Sequence, residues 1–144
     1  MNYRDTPRYL ITLFPHFVHV STYDEEDLEI PYIFLSHFLA YLRDLWSSGK
    51  LRVDDPRAKA LFSHIEELEG SGVPENMDFV TTGFFESMLH GDFSDQFFVD
   101  AAARYLSPGL YDQFRFVRSG RAGSLQEFLK HEGEMDKNNG DEKK

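Results

Sequence analysis

Apolar residues recur along this chain at three- and four-residue spacing, the period of a helix with one buried face. The clearest stretch is Pro31–Ser48. Leu35, Phe38, Leu39, Leu42 and Trp46 form one stripe, and Phe34, Tyr41 and Leu45 form a second beside it. A helix that is apolar on most of its circumference belongs in the middle of a fold, so this segment is predicted to be central and Trp46 buried. The same period places Ala58, Leu61, Phe62, Ile65 and Leu68 on one inward face. Met77, Val80, Phe84, Met88 and Leu89 make another, and Phe97, Phe98, Ala101, Ala102, Tyr105 and Leu106 a third. Leu110, Tyr111, Phe114 and Val117 follow, then Leu125, Phe128 and Leu129.

The punctuation agrees with the periodicity. Thr6-Pro7, Asp55-Pro56 and Ser107-Pro108 each set a capping side chain before a proline at the first helical position. Ser124-x-x-Glu127 reads as a capping box. Gly49, the Gly70-Ser71-Gly72 run and Gly91 close helices. Phe17–Tyr23 suits either a helix or a short strand. From Gly133 onward the only apolar residue is Met135, so residues 133–144 are predicted to be a disordered charged tail. The expected fold is all-α: one domain over residues 1–132, built as a compact array of six or seven antiparallel helices. Stacked helical hairpins would give the same pattern, although no fixed-period repeat is visible.

Composition adds a large aromatic load of 14 Phe, 7 Tyr and one Trp. Each aromatic offers about 150–250 Å² to bury, so the domain needs no covalent or metal staple. There is no cysteine, which removes disulfides, thiol nucleophiles and thiolate zinc sites. No apolar run approaches the ~20 residues of a membrane span. The early segment Tyr9–Val20 is broken by Pro15, His16 and His19, unlike a signal peptide. A cytoplasmic location is the expectation.

The formal net charge of −10 argues against nucleic acid and against an anionic membrane surface. It leaves a cation, a neutral ligand or a basic protein. From Ala60 to Ala103 there are nine acids and no Lys or Arg; Tyr9–Leu42 also lacks a cation and holds five acids, all within Asp24–Glu29. Solvated helix faces would account for much of this. The partner-binding candidates are Asp24, Glu25, Glu26, Asp27 and Glu29 in one cluster. Glu66, Glu67, Glu69, Glu75, Asp78, Glu86, Asp92 and Asp95 make the second.

Other chemistry finds little support. His16 and His19 share a spacing of three, while His37, His64 and His90 are scattered, and no zinc-binding spacing connects them. Ser87 and His90 lie three apart without an orienting third group. Phosphate-cradling glycine motifs and calcium loops are missing. No catalytic residue, metal or cofactor is therefore assigned, and an enzyme is not expected. The pairs Phe84-Phe85 and Phe97-Phe98 place adjacent rings about 100° apart on a helix. One ring of each pair enters the core, and the second can reach a neighbouring helix or a partner.

Ile30–Leu39, Leu61–Gly72, Phe79–Glu86 and Tyr105–Leu110 follow one another in an order that resembles a family of small bacterial all-helical proteins of unknown function. Some of these are found as immunity proteins beside secreted toxins. The likeness covers about residues 28–118 and rests on apolar patterns. It implies an antitoxin that binds one cognate toxin and blocks its active site, and it supplies no catalytic residues. The expected function is therefore a non-catalytic protein-binding domain, most simply an immunity-type inhibitor of a basic toxin. The alternative is a regulatory or scaffolding helical module with another partner. Self-association is compatible with both.

Overall fold

The computed structural model describes residues 1–89, 95–120 and 123–142, with side chains as far as residue 134. The chain forms α1 (Thr6–Leu13), α2 (Pro31–Ser47), α3 (Pro56–Gly70), α4 (Pro74–Asp78), α5 (Glu86–Met88), α6 (Gln96–Tyr105), α7 (Pro108–Ser119) and α8 (Leu125–Glu142). Three short 3-10 turns cover Tyr3–Asp5, Pro15–His19 and Glu25–Glu29. No strand occurs among the described residues. Phe17–Tyr23 begins in the second of these turns and then runs on irregularly, without the ladder partner a strand would need.

Between α4 and α5 the backbone is not α-helical. Phe79–Phe85 is a π-helix, so α4, this segment and α5 make one rod. The rod packs against α2, α3 and α7 and lies at the centre of the array. A π-helix carries more residues per turn than an α-helix, which shifts the inward face. Phe79, Val80, Gly83, Phe84, Phe85 and Met88 are buried, whereas Met77, predicted inward, is exposed and Leu89 is half-buried. At Gly83 the rod leaves no room for a side chain. A Cβ added there would lie 2.9 Å from Cδ1 of Phe79 and 3.3 Å from Cδ1 of Leu35.

The inward stripe of α2 is largely as the periodicity predicts, with Phe34, Leu35, Phe38, Leu39 and Leu42 fully buried. Trp46 departs from it. It is half-buried, packed on Phe97 at 5.6 Å, because the helix ends one residue later and its last turn lies at the margin of the core. Both rings of Phe84-Phe85 and both of Phe97-Phe98 are buried, so neither pair leaves a ring for a partner. Arg43 reaches from α2 to the end of the rod. Its guanidinium donates to the carbonyls of Ser87 (2.6 Å) and Met88 (2.8 Å), which the end of a helix leaves unpaired.

The caps differ in detail. Asp55 caps α3, accepting from Arg57 N–H at 2.8 Å, and Ser124 accepts from Glu127 N–H at 3.2 Å. Arg57 turns back on Asp55, holding that carboxyl below the usual carboxylate range, and lies over the Phe14 ring at 4.6 Å. Thr6 is not a cap. It sits inside α1, fully buried, with its hydroxyl 2.8 Å from His64 Nε2. Helix α8 is tied to α7 by Arg115 with Glu132 and by Phe116 against Phe128. It continues to Glu142, through the stretch predicted to lack regular structure; extending a helix already nucleated and docked costs little.

Candidate functional site

Among the described residues, six large apolar side chains are strongly exposed, from 37% for Tyr32 and Met77 to 62% for Met1. The others are Ile30, Ile33 and Val73. They come from three segments only: the first residues of the chain, the start of α2 and the start of α4. Hydrogen bonds and ring contacts hold those segments together. Asn76, buried at the start of the rod, accepts Tyr3 N–H at 2.9 Å and donates to the Met1 carbonyl (3.0 Å) and to Ser71 Oγ (3.1 Å). Tyr3 lies 5.0 Å from Phe79 and 6.2 Å from Tyr32, and Tyr32 meets Phe79 edge-on at 5.0 Å.

The local sequence explains this exposure. Helices α2 and α4 both open with an apolar residue followed by proline, Ile30-Pro31 and Val73-Pro74. Proline sets the first helical turn, and the residue before it is kept out of helical conformation, Val73 extended and Ile30 at φ −128°, ψ 79°. Neither cap side chain makes a capping hydrogen bond. The Tyr32 hydroxyl donates to Asp78 Oδ2 at 2.8 Å. Burial, then this bond, pushes the phenol up to about 12, so it stays a donor at neutral pH. Two shallow clefts flank Tyr3. One, about 370 Å³, lies between Met1–Arg4 and Val73–Asn76. The other, about 380 Å³, is lined by Tyr3, Tyr32, Pro74, Glu75 and Asp78. Glu75 stands in both.

The structure spreads the predicted acids over several junctions. Asp24 caps its turn, accepting from Glu26 N–H at 3.0 Å, while Glu25 and Glu26 are exposed. Asp27 is drawn inward to His37, Oδ2 to Nδ1 2.8 Å. Glu29 pairs with Arg8 at 2.8 Å, both exposed. On α3, Glu66 accepts Ser107 N–H (2.5 Å) and faces Ser107 Oγ (3.2 Å), capping α7 from outside. Glu67 is exposed. Glu69 is half-buried, one carboxylate oxygen is sealed without a partner, and burial beside Glu66 pushes its carboxyl up. Glu86 is exposed, and Asp95 lies 3.9 Å from Arg118. Asp92 lies outside the described residues. Of the thirteen, Glu29, Glu75 and Asp78 border the apolar face, next in sequence or in contact with its members.

Two histidines have defined surroundings. His64 is buried against Tyr9 (stacked, 4.6 Å) and Thr6; removal from water lowers its pKa to about 4, so it is neutral at pH 7. His37 is part-exposed and oriented by Asp27, an arrangement that orients a base, but neither cleft includes it. Among the described residues no group of three His, Asp or Glu side chains is gathered to hold a metal. No helix among them is long and apolar enough to cross a membrane.

Sequence reasoning overlooked Ile30, Tyr32, Ile33 and Val73. The signal was present: apolar residues immediately before helix-opening prolines, and a pair lying off both stripes of α2. Compared with known proteins, the chain matches no family model, no curated protein and no solved structure.

Proposed function

We propose that this chain is a non-catalytic protein-binding domain, acting as an immunity-type inhibitor that docks a basic partner, such as a cognate toxin, on the face centred on Tyr32. One observation carries the reading: of the six strongly exposed large apolar side chains among the described residues, Met1, Tyr32 and Val73 line two clefts that share Tyr3 and Glu75, and Ile30, Ile33 and Met77 lie within two residues of that lining in sequence. Scattered exposed apolar residues are normal on a monomer, whereas their concentration marks an interaction surface. Covering one such side chain, already partly buried, is worth on the order of 1 kcal/mol before the cost of association. Glu29, Glu75 and Asp78 supply an acidic rim that speeds encounter with a basic surface, while the apolar centre sets the lifetime of the complex. The resemblance to immunity proteins is consistent with this reading and independent of the face.

The test is affinity capture from the native host with the wild type and with Ile33→Ser/Met77→Ser in parallel, each first shown to keep its helical circular dichroism. The expected result is one basic protein retained by the wild type and lost by the double variant. Equal retention by both, or retention of acidic proteins only, would overturn the reading.

A further inference from the structure

A third cleft lies at the margin of the core, at the end of α2. It is open to solvent, measures about 590 Å³ and is lined by Trp46, Leu51, Arg52, Val53, Asp54 and Arg104, together with the Gly49 turn. We propose that it binds a planar aromatic group carrying a single carboxylate, with the ring on the Trp46 indole and the carboxylate on Arg104. This site is separate from the docking face and does not depend on it.

Trp46 is the only tryptophan in the chain, and it keeps part of its surface in this cleft while Phe97 supports it at 5.6 Å. The backbone of the walls is held in place. Gly49, at φ +75°, turns the chain off α2. Lys50 N–H donates to the Leu45 carbonyl at 2.8 Å, Leu51 is buried beneath, and the Tyr105 hydroxyl holds the Val53 carbonyl at 2.7 Å. A backbone already fixed leaves only the arginine side chains to be ordered on binding. The volume falls in the range of about 300–1,000 Å³ usual for small-ligand sites.

The charge selects the ligand. In a chain of net charge −10, this cleft carries two arginines and one aspartate. Arg52 already meets Asp54 at 3.3 Å. Arg104 lies over Tyr105 at 5.4 Å and makes no ion pair among the described residues. One guanidinium without a carboxylate matches one carboxylate, in a charge-assisted and commonly bidentate contact. A polyanion would be repelled by the rest of the molecule. The ring adds stacking on indole, worth about 0.5–1.5 kcal/mol beyond the area it buries. Such a ligand could be a free metabolite or the last residue of a peptide.

Because Trp46 is the sole tryptophan, its emission reports the site directly in the full chain. Titration with N-acetyl-phenylalanine should change that emission saturably, with a dissociation constant of about 0.1–1 mM. N-acetyl-phenylalanine amide and acetate should each bind at least roughly tenfold more weakly, because each lacks one of the two contacts. Arg104→Gln, at an exposed position, should weaken N-acetyl-phenylalanine by roughly tenfold with an unchanged thermal midpoint. Acetyl-Gly-Gly-Phe separates the two sources: binding as tight as N-acetyl-phenylalanine fits a peptide terminus, weaker binding fits a free metabolite, and both support the site. Three results would overturn it: no saturable change up to about 20 mM, an equal response to the amide, or an Arg104→Gln titration identical to the wild type. Ile33→Ser/Met77→Ser should leave the titration unaltered, so failure here and failure of the docking face remain distinguishable.

Discussion

Gly83→Ala tests the packing of the central rod. Alanine would remove the flexibility cost of glycine within a helical segment, a gain of about 0.5–1 kcal/mol. Against this stand a contact of 2.9 Å with Cδ1 of Phe79, 3.1 Å with its Cε1, and 3.3 Å with Cδ1 of Leu35. The Phe79 ring cannot swing away, because it is fully buried and hemmed by Tyr3, Tyr32 and Phe84 at 5.0, 5.0 and 5.4 Å. Leu35 is equally buried on α2. Overpacking of this kind costs about 1–3 kcal/mol, so a net loss of about 1–2 kcal/mol is expected. For a chain of this size, that lowers the thermal midpoint by roughly 3–8 °C. Urea unfolding followed by circular dichroism measures the free energy directly. A double-mutant cycle identifies the cause: Phe79→Leu should cost less in the Gly83→Ala background than alone, since the smaller side chain vacates the clash. A Gly83→Ala protein as stable as the wild type, or additive changes in the cycle, would refute the argument.

Three further outcomes follow from particular contacts. His64 is lowered from 6.5 to about 4 by burial, so the unfolded chain takes up its proton first as pH falls. Stability from this group is complete above about pH 6.5 and is lost toward pH 4, amounting to roughly 3 kcal/mol; His64→Gln should flatten that part of a stability–pH curve, and an unchanged slope would contradict the assignment. Glu66→Ala removes the acceptor of Ser107 N–H and should cost about 1 kcal/mol in urea unfolding, against less than about 0.5 kcal/mol for exposed Glu67→Ala. Half-buried Trp46 should be quenched by acrylamide with the native fold intact; full protection would place it inside the core.

The sequence showed the helices where periodicity and punctuation coincide, as in α2 and α3, because a 3.6-residue stripe and a proline after a capping residue are both local signals. It misplaced Met77 and left Phe79 and Phe85 off the inward face because nothing local announces a π-helix, a segment that packs against α2, α3 and α7. Thr6 shows the same limit. The pattern Thr-Pro reads as a cap, but a long-range partner 58 residues away, His64, takes the hydroxyl. The acidic bias was visible as composition, yet composition does not reveal which carboxylates are engaged within the fold. Glu66 is taken up in capping α7, and Asp27 in holding His37. The apolar face was legible only in pieces, since Met1, Tyr32 and Val73 come together through the Tyr3–Asn76 and Tyr32–Asp78 bonds, both of which span more than forty residues in sequence.

A π-helix in the middle of an α-helical rod behaves as an accommodated insertion: roughly one extra residue per turn is carried without breaking the rod. Its presence gives the rod a tolerance of chain length at its centre. Deleting either Thr81 or Thr82 would let Phe79–Phe85 relax to α geometry, and because the π turn already absorbs one residue, the helix downstream would keep its register. The carbonyls of Ser87 and Met88 would then stay with the Arg43 guanidinium. The same deletion outside the π segment, within α4, would instead rotate everything downstream by about 100° and strand the Arg43 charge, which burial already disfavours.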